Sequence, residues 1–263
     1  MNELYYRISG DGEPILFLHG FVSSSDYWNN IIKQLDDSDF QKLSLDLLGF
    51  GESIKPHTRY SAQTHVDSII AVIKKSGISI PLTIVGHSMG SLLALYLAQS
   101  RPDIVKNLLL ISPPLYNNKE LARNLVNSSI PVHHNASGVL ARVSCFMMCH
   151  TKPVTKYLTG LFSTESSQQQ NKDALKHTWN SYSSTLANVI EDQSYLDFGL
   201  LSCPITILYG MSDNLLSSAD IEEMKHIAKI IEIEGDHQLP INKPDIIVQL
   251  IKRTTSKNTI RKV

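Results

Sequence analysis

The chain has 263 residues, with 24 Lys and Arg against 25 Asp and Glu for a formal charge of −1, and 42% hydrophobic and 19% charged side chains. That length can bury a sizeable core. The near-neutral balance excludes a basic nucleic-acid surface, and the apolar content excludes a disordered or fibrous chain. Three cysteines, Cys145, Cys149 and Cys203, are an odd number and argue against a disulfide framework. The N-terminal residues show no basic region followed by an apolar run, and no apolar stretch approaches a bilayer's thickness, so the expected protein is soluble, cytoplasmic and without a membrane partner.

In chain order, Ile15 to Leu18 is an apolar run ended by His19-Gly20, and Leu43 to Leu45 ends at Asp46 before the Gly49 and Gly51 turn. Both read as buried strands. Between them Trp28, Ile31, Ile32 and Leu35 recur at helical spacing, as do Val66, Ile69, Ile70 and Ile73 before Gly77. Leu82 to Val85 is the next strand, Leu92 to Ala98 a helix, and Leu108 to Ile111 another strand. This alternation predicts an α/β fold with a mostly parallel central sheet and helices on both faces. After Pro113-Pro114 the strand rhythm stops for about eighty residues and only helix-compatible patterns such as Leu121 to Val126 appear, which marks an insertion. The rhythm returns with Ile205 to Tyr209 and Ile230 to Ile233, a helical Asp220 to Ala228 between them, and a last helix from Ile246 to Ile251.

The chemistry begins at Gly86-His87-Ser88-Met89-Gly90, between a strand and a helix. A serine hydroxyl is a weak nucleophile until a base takes its proton. A sharp strand-to-helix turn exposes the hydroxyl but leaves little room two residues away on either side, which the glycines supply. His237 follows the last strand and Asp213 the one before it, and loops beyond the carboxyl ends of parallel strands share one edge of the sheet. The order Ser88, Asp213, His237 suits a nucleophile, a group that orients the imidazole, and a base. Asp236 competes for the orienting role, but its neighbouring position turns it away from the imidazole. Backbone amides of Phe21 and Met89 are the expected oxyanion donors. Cys145, Cys149 and His150 offer too few ligands for a metal corner, so no metal is expected.

With these motifs in hand the chain resembles the α/β-hydrolase superfamily, in particular its small esterase-like members with a helical cap. The resemblance rests on Leu18-His19-Gly20-Phe21, Asp46 to Ser53, Gly86 to Gly90, Gly210 to Asp213 and Gly235 to His237, in order along nearly the whole chain. It implies a core domain over 1–114 and 194–263 and a helical cap over 115–193, inserted between the sixth and seventh strands of that family. It implies an ester or thioester hydrolase working through an acyl-enzyme, with no cofactor, a small-molecule substrate, and a monomeric or homodimeric state. The same triad also serves carbon-carbon bond hydrolases and related lyases, and some ligand receptors use the scaffold. Serine at the elbow argues against the haloalkane dehalogenase and epoxide hydrolase branches. Substrate contacts are expected from Phe21 and from the cap residues Met147, Met148 and Trp179, within a wider apolar set that includes Phe146, Tyr157, Leu161 and Phe162.

Overall fold

A computed structural model describes residues 3–129 and 176–256. Its centre is a seven-stranded sheet formed by β1 (Tyr6–Ser9), β2 (Glu13–Leu18), β3 (Phe40–Leu45), β4 (Leu82–His87), β5 (Val105–Ile111), β6 (Ile205–Gly210) and β7 (Ala228–Ile233). The spatial order is β1-β3-β2-β4-β5-β6-β7, with β1 antiparallel to β3 and every other pair parallel. The six strands expected from apolar runs are all present. β1 escapes a reading by hydrophobic runs because it lies at the sheet edge and none of its four residues is buried. Among these seven strands the insertion leaves after the fifth and returns before the sixth.

Alternation along the strands divides the core into two layers. Leu16 and Leu18 of β2, Ile84 of β4 and Leu108 and Leu110 of β5 face one layer, while Ile15, Phe17, Val85, Leu109 and Ile111 face the other. The first layer is covered by α2 (Ala62–Ser76) and α3 (Met89–Ser100), the second by the short α1 (Asn29–Ile32) and by α8 (Pro244–Ser256). Local signals explain the ends of α2: the Ser61 hydroxyl accepts from the Thr64 N–H, and Gly77 takes the left-handed conformation at φ 68°. α3 is buried on nearly every side, from Met89 through Leu95, as expected for a helix enclosed by the sheet and its neighbours.

Two sequence expectations are corrected in extent. The Trp28 to Leu35 pattern yields a 3₁₀ turn over Ser25–Trp28 followed by only four α-helical residues. The Asp220 to Ala228 helix is α6 (Ser218–Glu223) plus a 3₁₀ turn, because Ala228 already pairs with Ile205 as the first residue of β7. Of the insertion, the described parts are its outgoing arm, α4 (Lys119–Ser129), and its returning arm, α5 (Trp179–Thr185), which widens into a π-helical turn over Leu186–Ile190.

The returning arm is fastened to α2 and the segment before it. The Tyr60 N–H donates to Ser184 Oγ at 2.9 Å, Arg59 donates to Asn188 Oδ1, and His65 Nε2 lies 3.2 Å from Thr185 Oγ1. His65 is fully buried against Phe50 and Tyr60, and its Nδ1 has no hydrogen-bond partner among the described residues. Burial, reinforced by nearby His19, lowers its pKa to about 3. In the unfolded chain the same imidazole titrates near its ordinary value of about 6.5, so only the unfolded state binds its proton between these values. The contribution is therefore complete above about pH 6.5 and falls away as pH drops towards 3, by up to roughly 4–5 kcal/mol. Urea unfolding should show stability declining more steeply between pH 6.5 and 4 in the native sequence than in His65→Phe; parallel slopes would contradict this account.

Candidate active site

The strand order reverses direction between β2 and β4, so the loops that follow them diverge and leave a crevice at their carboxyl ends. Leu18 pairs in register with Gly86, bringing the loop after β2 beside the turn after β4. Ser88 occupies that turn with φ 51° and ψ −122°, a conformation L-residues avoid, and its N–H donates to Ile111 O at 2.9 Å. The packing around it requires glycine. A Cβ on Gly90 would stand 2.2 Å from Leu18 O, and one on Gly86 2.7 Å from Gly90 O. Ser91, in the next position, resolves its polar tip by donating its hydroxyl to Gly86 O at 2.8 Å.

Asp213 and His237 come from the adjacent loops after β6 and β7. These loops are joined by Met211 N–H to Ile233 O and Ser212 N–H to Gly235 O, both at 2.9 Å. His237 Nδ1 lies 2.8 Å from Asp213 Oδ2 and 3.0 Å from Oδ1, and the carboxylate, wholly removed from solvent, also accepts the Leu215 N–H at 3.0 Å. A carboxylate can only accept, so His237 carries its proton on Nδ1 and turns Nε2 away from Asp213. Asp236, the competing acid, spends its Oδ1 on the Gln238 N–H and the Asn242 amide, each at 2.9 Å. His237 and Ser88 are not directly hydrogen-bonded in this conformation, a contact that in such sites often tightens only around substrate.

What ties the base loop to the Ser88 turn is His87. Its Nε2 lies 2.9 Å from the backbone carbonyl of His237, and the two imidazoles stand 5.0 Å apart. A carbonyl only accepts, so Nε2 bears the hydrogen. Burial, with the neighbouring His237 adding to it, holds His87 well below the usual histidine range and keeps it neutral. Tyr27 stacks on His87 at 4.8 Å and donates its hydroxyl to Gln238 Oε1 at 2.9 Å, a second link to the same loop. Burial, then the carboxylates of Asp236 and Asp213, raise the Tyr27 pKa well above the ordinary phenol value, so this donor stays protonated.

Phe21 and Met89 sit on either side of Ser88, at the mouth of the β2 loop and the first turn of α3. Among the described residues neither backbone N–H is used in another hydrogen bond. Gly20 allows the loop to approach: a Cβ there would lie 3.3 Å from Ser88 Cβ and 3.0 Å from His87 Nδ1. His19 fixes it by bonding Gly20 O through Nδ1 at 2.7 Å and accepting the Leu47 N–H on Nε2 at 2.9 Å. Beyond, Asp46 holds the following turn through the N–H groups of Ser25 and Glu52, both at 2.7 Å. Trp179 stacks on Tyr182 at 5.9 Å, and Tyr182 packs on Phe21 at 4.9 Å, which brings the returning arm of the insertion to the β2 loop. Met147 and Met148, like Cys145, Cys149 and His150, lie outside the described residues. Tyr27, Gln238 and Tyr182 are contacts the sequence did not announce, since each depends on strands or arms distant along the chain.

A family model described as alpha/beta hydrolase fold matches residues 13–133. Among curated proteins, the Arabidopsis thaliana "Probable lysophospholipase BODYGUARD 4" is 28% identical over 260 residues, covering 90% of this chain and 62% of its own length. "Probable lysophospholipase BODYGUARD 3" of the same plant is 30% identical over 234 residues, covering 78% and 47%. The chain thus spans about half to three fifths of the length of these relatives. Among solved structures, a marine microorganism esterase aligns with a TM-score of 0.71 at 22% identity over 97% of this chain and 100% of its own. A Bacillus megaterium epoxide hydrolase aligns with 0.71 and 22% over 96% of each chain. At these identities the structural neighbours speak for the fold.

The geometry separates the two acids by a measurable property. A low-field proton resonance from the His237 Nδ1–H, bound to a carboxylate in a dry setting, should be present in the native protein, lost in Asp213→Asn and retained in Asp236→Asn. Retention in Asp213→Asn would assign the partner wrongly.

Proposed function

The chain belongs to the α/β-hydrolase superfamily, and on that premise we propose that it hydrolyses a small or medium carboxylic ester or thioester through an acyl-enzyme on Ser88. The observation that carries this reading is the buried His237–Asp213 pair held on a loop that His87 hydrogen-bonds to the Ser88 turn. In this reading Ser88 Oγ attacks the acyl carbon while His237 Nε2 takes its proton. Asp213 stabilises the imidazolium that results. The oxyanion meets the N–H groups of Phe21 and Met89, donors whose individual loss in comparable sites costs about 3–4 kcal/mol. His237 then returns the proton to the departing alcohol or thiol, and a water activated by the same imidazole releases the acid.

A serine, and not a carboxylate, at the elbow supports acyl transfer over epoxide opening. The insertion over 115–193 is the part proposed to select the acyl group, with Phe21 and Trp179 on its described side and Met147 and Met148 as further candidates. The lysophospholipase names of the plant relatives make a single-chain acyl ester the natural companion to short synthetic esters in a substrate panel.

Replacing Ser88 by Ala should lower turnover of a chromogenic short-chain ester by a factor on the order of 10⁵ while circular dichroism stays native. His237→Ala should abolish covalent labelling by a fluorophosphonate probe; persistence of either activity would remove the residue from its role. The positioning role given to His87 predicts that His87→Phe, which keeps the stack but not the donor, slows labelling about tenfold, as expected for one lost hydrogen bond. His87→Gln, which keeps a donor, should recover most of that loss, and equal rates in both variants would reduce His87 to a packing residue.

A further inference from the structure

A cavity of about 420 Å³ lies where the outgoing and returning arms of the insertion meet α6, and it includes neither Ser88 nor His237. Four carboxylates line it: Glu191, Asp192, Asp220 and Glu223. Two of them have cations of their own, Glu191 with Arg123 at 2.9 Å and Asp192 with Lys119 at 3.2 Å. Asp220 and Glu223 do not. They stand three residues apart on α6, on one face of the helix. Asp220 is only 6% exposed, and its Oδ2 is sealed from solvent without a hydrogen-bond donor among the described residues.

A carboxylate buried without a donor is an unbalanced charge, and its place in the first turn of a six-residue helix compensates it only in part. A cation in the cavity would complete it. The rest of the lining decides which kind: Leu115, Tyr116, Phe198 and Met224 present apolar and aromatic surface. No group of three or more metal-ligating side chains converges anywhere among the described residues. Carboxylates facing aromatic and aliphatic walls suit a weakly hydrated, alkyl-substituted ammonium better than a strongly hydrated metal ion.

We propose that this cavity is a binding site for a compact organic ammonium ion, its charge against Asp220 and Glu223 and its alkyl groups against Tyr116 and Phe198. The site is independent of the ester chemistry, although it shares a wall with it. The Tyr116 hydroxyl donates to Leu215 O at 2.7 Å, and the Leu215 N–H is a donor to Asp213.

Isothermal titration calorimetry of the full chain with choline chloride, at fixed ionic strength, tests the assignment, with 3,3-dimethylbutan-1-ol as the uncharged isostere. Saturable one-to-one binding of choline and none of the alcohol is expected. Asp220→Asn should weaken choline binding by roughly thirtyfold or more, the scale of removing one partner from a buried charge contact. Glu223→Gln, at an exposed position that leaves folding intact, should weaken it by a smaller, measurable factor and keeps the test decisive if Asp220→Asn does not fold. No saturable heat, equal affinity for the alcohol, or unchanged affinity in the folded variants would overturn the site.

Discussion

The contact on which the rest of the site depends is the approach of the first turn of α3 to the end of β2. Gly90 sits so close to Leu18 O that no side chain fits between them. This closeness follows from the strand order, because β2 and β4 are neighbours although β3 lies between them in sequence. Parallel pairing sends both chains to the same edge, and the reversal of direction there leaves a crevice with a strained turn on one side and an open loop on the other. The backbone amides of Phe21 and Met89 flank Ser88 for this reason.

From that contact the arrangement extends outward in two directions by hydrogen bonds to main-chain atoms. On one side His19 joins the β2 loop to Leu47 and Asp46 gathers the N–H groups of Ser25 and Glu52. On the other, His87 and Tyr27 reach the β7 loop through His237 O and Gln238 Oε1. Backbone positions are held by these buried side chains, so each loop is fixed by groups that lie on a different strand. A buried neutral imidazole suits such work, since it offers one donor and one acceptor without the cost of placing a charge in a dry interior.

Much of this was legible along the chain, and the legible part has a common cause. Apolar runs betrayed the six parallel strands because strands covered on both faces must be apolar throughout. Glycines at fixed offsets betrayed the Ser88 turn because the backbone approach is severe. The order of Ser88, Asp213 and His237 followed from which strand ends share an edge. What the sequence did not reveal has a cause too. The edge strand Tyr6–Ser9 carries no buried residue, so it leaves no apolar signature. The early end of α6 is decided by pairing of Ala228 with a strand, a non-local event. Tyr27 against His87 and Tyr182 against Phe21 are contacts between distant segments, for which a single sequence holds no local mark.

The backbone at Ser88 has an evolutionary consequence of its own. A non-glycine residue at φ 51° and ψ −122° carries strain of about 1–3 kcal/mol that glycine would not. Selection for heat tolerance alone would therefore draw this position towards glycine, while any demand that depends on its hydroxyl opposes that drift. The retention of a side chain at the least comfortable point of the chain is a record of competing pressures, written in a single pair of torsion angles.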